Sequence, residues 1–271
     1  MRICRLKSRF LGKRHLVFSL NLLKLPFYNL KIFNFKEHCK PIRKAQEMRL
    51  VIRIGGSVVA SPVNTEVMSK YAEVIKTIKQ EGNEVAVVLG GGSLAREFIN
   101  IAKNLGLDMT AQDEIAISCS RLFAQLFLKK LDEKTCSKVV ISLDDAAECL
   151  KEGKIVVMGG LKPGITTDTV AALVAERINA DLLVKGTDQN GVYNKDPRKY
   201  SDAVKIDQLS LEDLAKVFEH NEHKAGIHQI IDPLAIKVLK RKRLKLIVVN
   251  GFVPENILAA IKGETVGTLI S

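Results

Sequence analysis

The sequence predicts an α/β fold, a mostly parallel sheet covered by helices on both faces. Two observations predict it. From residue 48 onward, short apolar stretches alternate with amphipathic segments whose apolar residues recur every three or four positions. The short stretches are apolar along most of their length, which is the pattern of strands buried on both faces.

The elements follow in order. "RLVIRI" and "EVAVVL" read as buried strands, and "TEVMSKYAEVIKTIKQEG" between them reads as a helix ending at Gly82, so the three make a βαβ unit. A long helix is expected from about Thr110 to Leu131. Strands "KVVIS" and "KIVVMG" then flank a short helix, "LDDAAECL". A helix from Thr167 to about Ile178 feeds the strand "DLLVKG". "DPLAIKVLKRKR" into "LKLIVVNG" is a further helix and strand, and "PENILAAIKG" with a last strand "GTLIS" closes the chain. Neither an internal repeat nor a low-complexity segment interrupts this alternation.

Charge divides the chain at the same place. The formal charge is +12, but residues 1–47 carry 12 Lys/Arg against Glu37 and Glu47 alone, which leaves the remainder close to neutral at +2. A nucleic-acid footprint is therefore not expected on the body. The division predicts two segments, a basic extension at 1–47 and one domain at 48–271. The extension reads three ways: a transit peptide, a surface anchor, or upstream translation without a structural role. Five cysteines without a C-x-x-C pair argue against a disulfide framework and for a reducing cytoplasm. No apolar run approaches the roughly 20 residues of a membrane span.

Ligands of open parallel sheets collect at the carboxyl ends of the strands. Four strands end there in polar glycine loops: "GGS" at 55–57, "GGGS" at 90–93, "GGLKPGITTD" at 159–168 and "KGTDQNGVYNKDP" at 185–197. One glycine turn is steric punctuation; four on one edge point to a site. Glycine lets backbone N–H groups approach an anion, and a following helix adds its positive end. "GGS" and "GGGS" thus suit phosphates, although neither matches the P-loop or the Rossmann fingerprint. Arg53 and Arg96 flank them, placed to neutralise a moving phosphoryl group. Thr166 or Thr167 reads as an N-cap with Asp168 in the first turn, and the two hydroxyls suit a second anion or a base edge. Tyr193, in "NGVYNKDP", is an aromatic against which a base would pack.

"RIGGSVV", "VVLGGGSLAREF", "VMGGLKPGITTDTVAALVAE", "TDQNGVYNKDP" and "IDPLAIKVL", in this order, resemble the archaeal-type uridylate (UMP) kinases of the amino acid kinase superfamily. The resemblance covers about 48–271. It implies a three-layer α/β/α sandwich around an eight-stranded, mainly parallel sheet, and transfer of the ATP γ-phosphoryl group to UMP in pyrimidine nucleotide biosynthesis. Arg53, Arg96 and Asp168 are the catalytic candidates it implies. For ATP it implies Arg53, Ile54, Gly55, Gly56, Ser57, Gly92, Arg96, Thr187, Asp188, Tyr193 and Asp196. The UMP side falls to Gly91, to Asp113 toward the ribose hydroxyls, and to the loop Leu161, Lys162, Pro163, Gly164, Ile165, Thr166 and Thr167. Mg²⁺ is expected with ATP, held by phosphates and water rather than by a protein metal site, and a cytoplasmic homohexamer is implied.

The sequence departs from the family at two places. The wider superfamily commonly has Lys where Arg53 stands, which changes reach and donor geometry. Leu161 and Ile165 replace polar residues of the acceptor loop, leaving backbone contacts there. Lys224 reads two ways, as further positive charge for the transferring phosphoryl group or as a surface lysine. The alternatives are another small-molecule kinase of the superfamily, such as an isopentenyl phosphate kinase, or an ATP-binding storage or regulatory protein. The former calls for a histidine just after the glycine loop, and "GGGSLAREF" has none.

Overall fold

The computed structural model describes residues 47–131, 134–214 and 230–271. The basic extension, except Glu47, and Lys224 lie outside the described residues. A seven-stranded sheet forms the centre, in the order β3 (Val156–Met158), β2 (Glu84–Leu89), β1 (Arg49–Ile54), β4 (Leu182–Thr187), β8 (Lys245–Asn250), β9 (Thr268–Ile270) and β7 (Gln208–Leu209). All neighbours run parallel except β8 and β9. A separate antiparallel pair joins β5 (Val192–Tyr193) to β6 (Lys205–Ile206).

Two-residue periodicity sorts the strand side chains into two cores, one per face. Leu50, Ile52 and Ile54 of β1 pack with Val85, Val87 and Leu89 of β2 and with α1 (Gly56–Val59), α2 (Thr65–Gln80), α4 (Met109–Lys130) and α8 (Glu255–Ile261). Val51, Ala86, Val88 and Leu183 take the other face, under α5 (Leu143–Lys151), α6 (Thr167–Ile178) and α7 (Pro233–Lys242). The same alternation puts Arg53, two residues after Val51, and Lys185, two after Leu183, on the α6 side at the carboxyl ends of β1 and β4.

The helices begin where short polar side chains take up free amides. Asn64, Asp108, Ser142, Thr166 and Asp232 accept at the starts of α2, α4, α5, α6 and α7. α3 (Gly92–Asn104) starts instead on glycine, without a side-chain cap.

Three expectations are corrected. "KVVIS" does not form a strand: only Val140 pairs, in one parallel bridge to Met158, with a second bridge from Thr135 to Ile155. The described sheet accordingly has seven strands, where the resemblance implies eight; the bridged segment runs along the β3 edge without continuous pairing. The expectation of no disulfide also fails. Cys136 and Cys149 are joined, with Cα atoms 6.2 Å apart, because α5 folds back over the segment that carries Cys136. Thirteen residues of separation hide that approach in the sequence.

Candidate active site

A cavity of about 850 Å³ opens at the carboxyl ends of β1, β2 and β4. Its floor is made by the two glycine loops packing on each other. A Cβ on Gly56 would lie 2.2 Å from the amide nitrogen of Gly92, and one on Gly90 would lie 2.7 Å from that of Gly56. Gly92 also has φ +62, with the carbonyl oxygens of Ala60 and Gly56 each 2.5 Å from a would-be Cβ. Gly90 and Gly92 are therefore required by the protein's own backbone as well as by whatever occupies the cavity.

Above this floor lies a buried charge cluster. Asp168, in the first turn of α6, has Oδ1 2.7 Å from Nε of Arg53 and Oδ2 2.6 Å from Nζ of Lys185. The two contacts differ in kind. Lys185 donates a hydrogen bond to Asp168, whereas the Arg53 Nε–H is not aligned on Oδ1, so that pair is close but electrostatic. Arg53 instead donates through Nη2 to the Thr167 hydroxyl at 3.0 Å, and Lys185 donates to the Ile230 carbonyl. Burial pushes the Asp168 carboxyl up, but Arg53 and then Lys185 outweigh it and hold it below the ordinary carboxylate value. The Lys185 ammonium is pulled down by burial, and Asp168 partly restores it.

The 159–168 loop forms one wall, and α4 holds it. Arg121 donates to the carbonyls of Gly160 and Leu161 at 2.9 and 2.8 Å. Ser120 accepts from the Gly160 amide at 2.8 Å, and Asp113 accepts from the Gly164 amide at 2.7 Å. Thr166 is fully used by the fold: its hydroxyl donates to Asp232 at 2.6 Å and accepts from the Asp168 and Thr169 amides. Thr167, which accepts from Arg53, is the better placed of the two to face a ligand.

Most of the expected residues converge. Arg53, Gly56, Ser57, Gly91, Gly92, Arg96, Asp113, Gly164, Ile165, Thr166, Thr167, Asp168, Thr187 and Asp188 all line the cavity. The side chain of Ile54 is wholly buried and its carbonyl accepts from Gly90, while the Gly55 amide is spent on Gly186. Leu161, Lys162, Pro163, Tyr193 and Asp196 do not line it. Leu161 packs on the core, and Tyr193 sits in the β5–β6 pair. Asp196 accepts from the backbone and side chain of Arg198, which does reach the cavity.

Sequence reasoning missed Lys185, Gln189 and Arg198 in the lining, and Arg121 and Asp232 behind it. Lys185 left a signal, since a lysine within the buried run "LLVKGT" must meet a counter-charge. The sequence puts it where the strand "DLLVKG" meets the loop at 185–197. The cavity's cations, Arg53, Arg96, Lys185 and Arg198, outnumber its carboxylates, Asp113, Asp168 and Asp188. Among the described residues no group of three or more His, Cys, Asp or Glu could hold a metal ion. No helix among them is long and apolar enough to cross a membrane.

The sequence profile of the amino acid kinase family matches residues 48–250. A uridylate kinase of Methanocaldococcus jannaschii is 45% identical over 225 residues, covering 82% of this chain and 99% of the relative. One from Archaeoglobus fulgidus is 42% identical over 83% of this chain and all of the relative. The crystal structure of the uridylate kinase from Archaeoglobus fulgidus superposes with a TM-score of 0.74 at 40% identity, over 83% of this chain and all of that one. A UMP kinase structure from Bacillus anthracis, at 24% identity and a TM-score of 0.70 over 83% of this chain and 96% of its own, shares the fold.

Proposed function

The chain belongs to the amino acid kinase family, and on that premise we propose that it transfers the γ-phosphoryl group of ATP to UMP, giving ADP and UDP. The observation that carries the reading is the Arg53–Asp168–Lys185 cluster at the base of a cavity floored by two glycine loops. Archaeal uridylate kinases more than 40% identical to the chain supply the substrate pair.

In the reaction a UMP phosphate oxygen attacks the γ-phosphorus in line. The new P–O bond forms as the bond to the β-phosphate oxygen breaks, and the electron pair leaves with ADP. Charge builds on the equatorial and leaving oxygens. Lys185 and Arg53, fixed by Asp168 before substrate arrives, meet that charge without reorganising. Arg96, at the rim, meets phosphate from the side of the 90–93 loop. The glycine loops bring backbone amides close to both phosphate chains, and Asp113 with the 161–167 loop orients the acceptor.

Mg²⁺ belongs to this reading as the companion of ATP, adding positive charge to the phosphates when bound. The cavity fits such an ion better than a protein-held one, since all three of its carboxylates are already engaged, Asp168 by the cations, Asp113 by the Gly164 amide and Asp188 by the Thr187 hydroxyl and Arg198. Asp188, at the cavity wall, is the carboxylate nearest to such a role through water. Tyr193 and Asp196 lie off the cavity, so the part of Asp196 in ATP binding runs through Arg198, which it holds and which reaches the lining. A cytoplasmic homohexamer acting in pyrimidine nucleotide biosynthesis completes the proposal, by resemblance.

A coupled assay of ADP release with UMP, CMP, dUMP and isopentenyl phosphate as acceptors tests it. UMP should give the highest kcat/KM; faster transfer to isopentenyl phosphate, or ATP binding without transfer to any of the four, overturns it.

A further inference from the structure

Two helix starts meet at one carboxylate. Asp232 caps α7, its Oδ1 accepting from the amides of Leu234 and Ala235, both at 2.9 Å. The same carboxylate reaches across to α6. Oδ2 accepts from the Thr166 hydroxyl at 2.6 Å, and Oδ1 accepts from the Thr169 hydroxyl at 2.7 Å. A cap alone needs one oxygen and the amides of its own helix. Asp232 takes four donors, and half of them belong to another helix more than 60 residues away in the chain.

What those donors position gives the arrangement its meaning. Thr166 is the N-cap of α6, and its oxygen accepts from the Asp168 amide at 3.1 Å. Asp168 in turn holds both cations at the base of the cavity. On the other side, Lys185 donates to the carbonyl of Ile230, two residues before Asp232. The chain from Ile230 to Asp232 thus contacts the cluster at both ends, directly through Lys185 and indirectly through Thr166. We propose that Asp232 is a positioning residue for phosphoryl transfer, locking the N-terminus of α6 so that Asp168 stays in register with Lys185 while the 161–167 loop binds the acceptor. The proposal rests on the kinase reading of the site. Asp232 is placed behind the reacting groups and acts through Thr166 and Thr169.

The chemistry selects the test. Asp232→Asn keeps the shape and one acceptor oxygen, and Asn is as good an N-cap as Asp, so α7 stays capped. An amide has only one acceptor oxygen, so it cannot also serve Thr166 as the carboxylate does. Thr169→Val removes the second cross-helix bond at nearly equal volume. The measurements are thermal melting, and steady-state kinetics of each variant and the double variant with ATP and UMP varied in turn. Asp232→Asn should melt near the wild type while kcat falls on the order of tenfold, and the UMP KM should rise more than the ATP KM. The double variant should lose little beyond Asp232→Asn, because both changes break one linkage.

Wild-type kcat and KM in Asp232→Asn overturn the proposal, as does a melting loss without a kinetic one. Should Asp232→Asn not fold, Thr169→Val decides alone: a lowered kcat supports the linkage and an unchanged one refutes it. If the wild type proves to prefer another phosphate acceptor, the UMP assignment fails by itself and the same comparison is made with that acceptor.

Discussion

Arg53 and Lys185 are register partners on adjacent parallel strands, and the Asp168 carboxylate closes on both, 2.7 Å from Nε of the first and 2.6 Å from Nζ of the second. Two cations side by side on one face of a buried sheet repel each other and lose solvation. A carboxylate delivered by the start of α6 makes the arrangement tenable, and a phosphate chain would complete it. The cluster is thus short of negative charge by one unit until an anion enters.

Lys185→Met follows as the first test, since it keeps the buried stem and removes the charge. Removing one preorganised donor from a site of developing charge typically costs on the order of 10²–10³ in kcat. The loss should fall on kcat with smaller changes in either KM, read from kinetics with each substrate varied. Wild-type turnover in this variant would take Lys185 out of the mechanism and leave Arg53 to act alone.

Asp168→Asn should cost both activity and stability. It leaves two cations facing each other, and breaking a buried pair of this kind typically costs about 3–5 kcal/mol. The pH dependence has a definite sign. Burial raises the Asp168 carboxyl, but Arg53 and Lys185 hold it below 3.8, so the folded state binds its proton less readily than the unfolded one. Its stabilising contribution is therefore complete above that value and is lost as the pH falls below it. The gap in Tm between wild type and Asp168→Asn should be full at neutral pH and narrow on acidification below 3.8. Thermal melts of both proteins across that range check it; a constant gap would show that Asp168 acts there through shape and not charge.

What the sequence made legible is what local rules carry. The glycine loops, the helix start at Thr166 and the buried runs of β1 and β2 are written in neighbouring residues. Lys185 shows locally only as a lysine in a buried run; its partner lies in a strand register, opposite Arg53, that no neighbouring residue encodes. Asp232 stands in the sequence only as the first residue of a helical segment, and nothing beside it shows that Thr166 and Thr169 reach it. "KVVIS" has the composition of a strand, but only Val140 finds a partner. Thr166 offered a hydroxyl for a ligand in the sequence, and the fold claims it for Asp232.

Arg96 offers the contrast of a residue whose loss should leave the fold untouched. Its guanidinium stands at the cavity rim, with a long 3.4 Å contact to the Ser61 hydroxyl. Arg96→Ala should keep the wild-type Tm while kcat/KM falls by about tenfold or more, because a charge-assisted phosphate contact is worth roughly 1.5–3 kcal/mol. Kinetics at wild-type level would remove Arg96 from the phosphate site.

Asp113 joins the acceptor loop to the acceptor itself. Its Oδ2 accepts from the Gly164 amide at 2.7 Å, which fixes the loop at its sharpest point, where φ is +81. Asp113 also lines the cavity, where the ribose hydroxyls of UMP would donate to its second oxygen. One carboxylate can serve both donors at once because it has two acceptor oxygens. Asp113→Asn keeps the shape but leaves one acceptor, so either the loop or the ribose meets an N–H where it needs an oxygen. The UMP KM should rise on the order of tenfold or more, in keeping with roughly 1.5–3 kcal/mol for a charge-assisted hydrogen bond, while the ATP KM moves little. A comparison of UMP with dUMP in both proteins separates the two losses. If the ribose contact is the one broken, the wild-type preference for UMP over dUMP shrinks in the variant. If the preference persists while both KM values rise together, Asp113 acts on the loop alone and the ribose assignment falls.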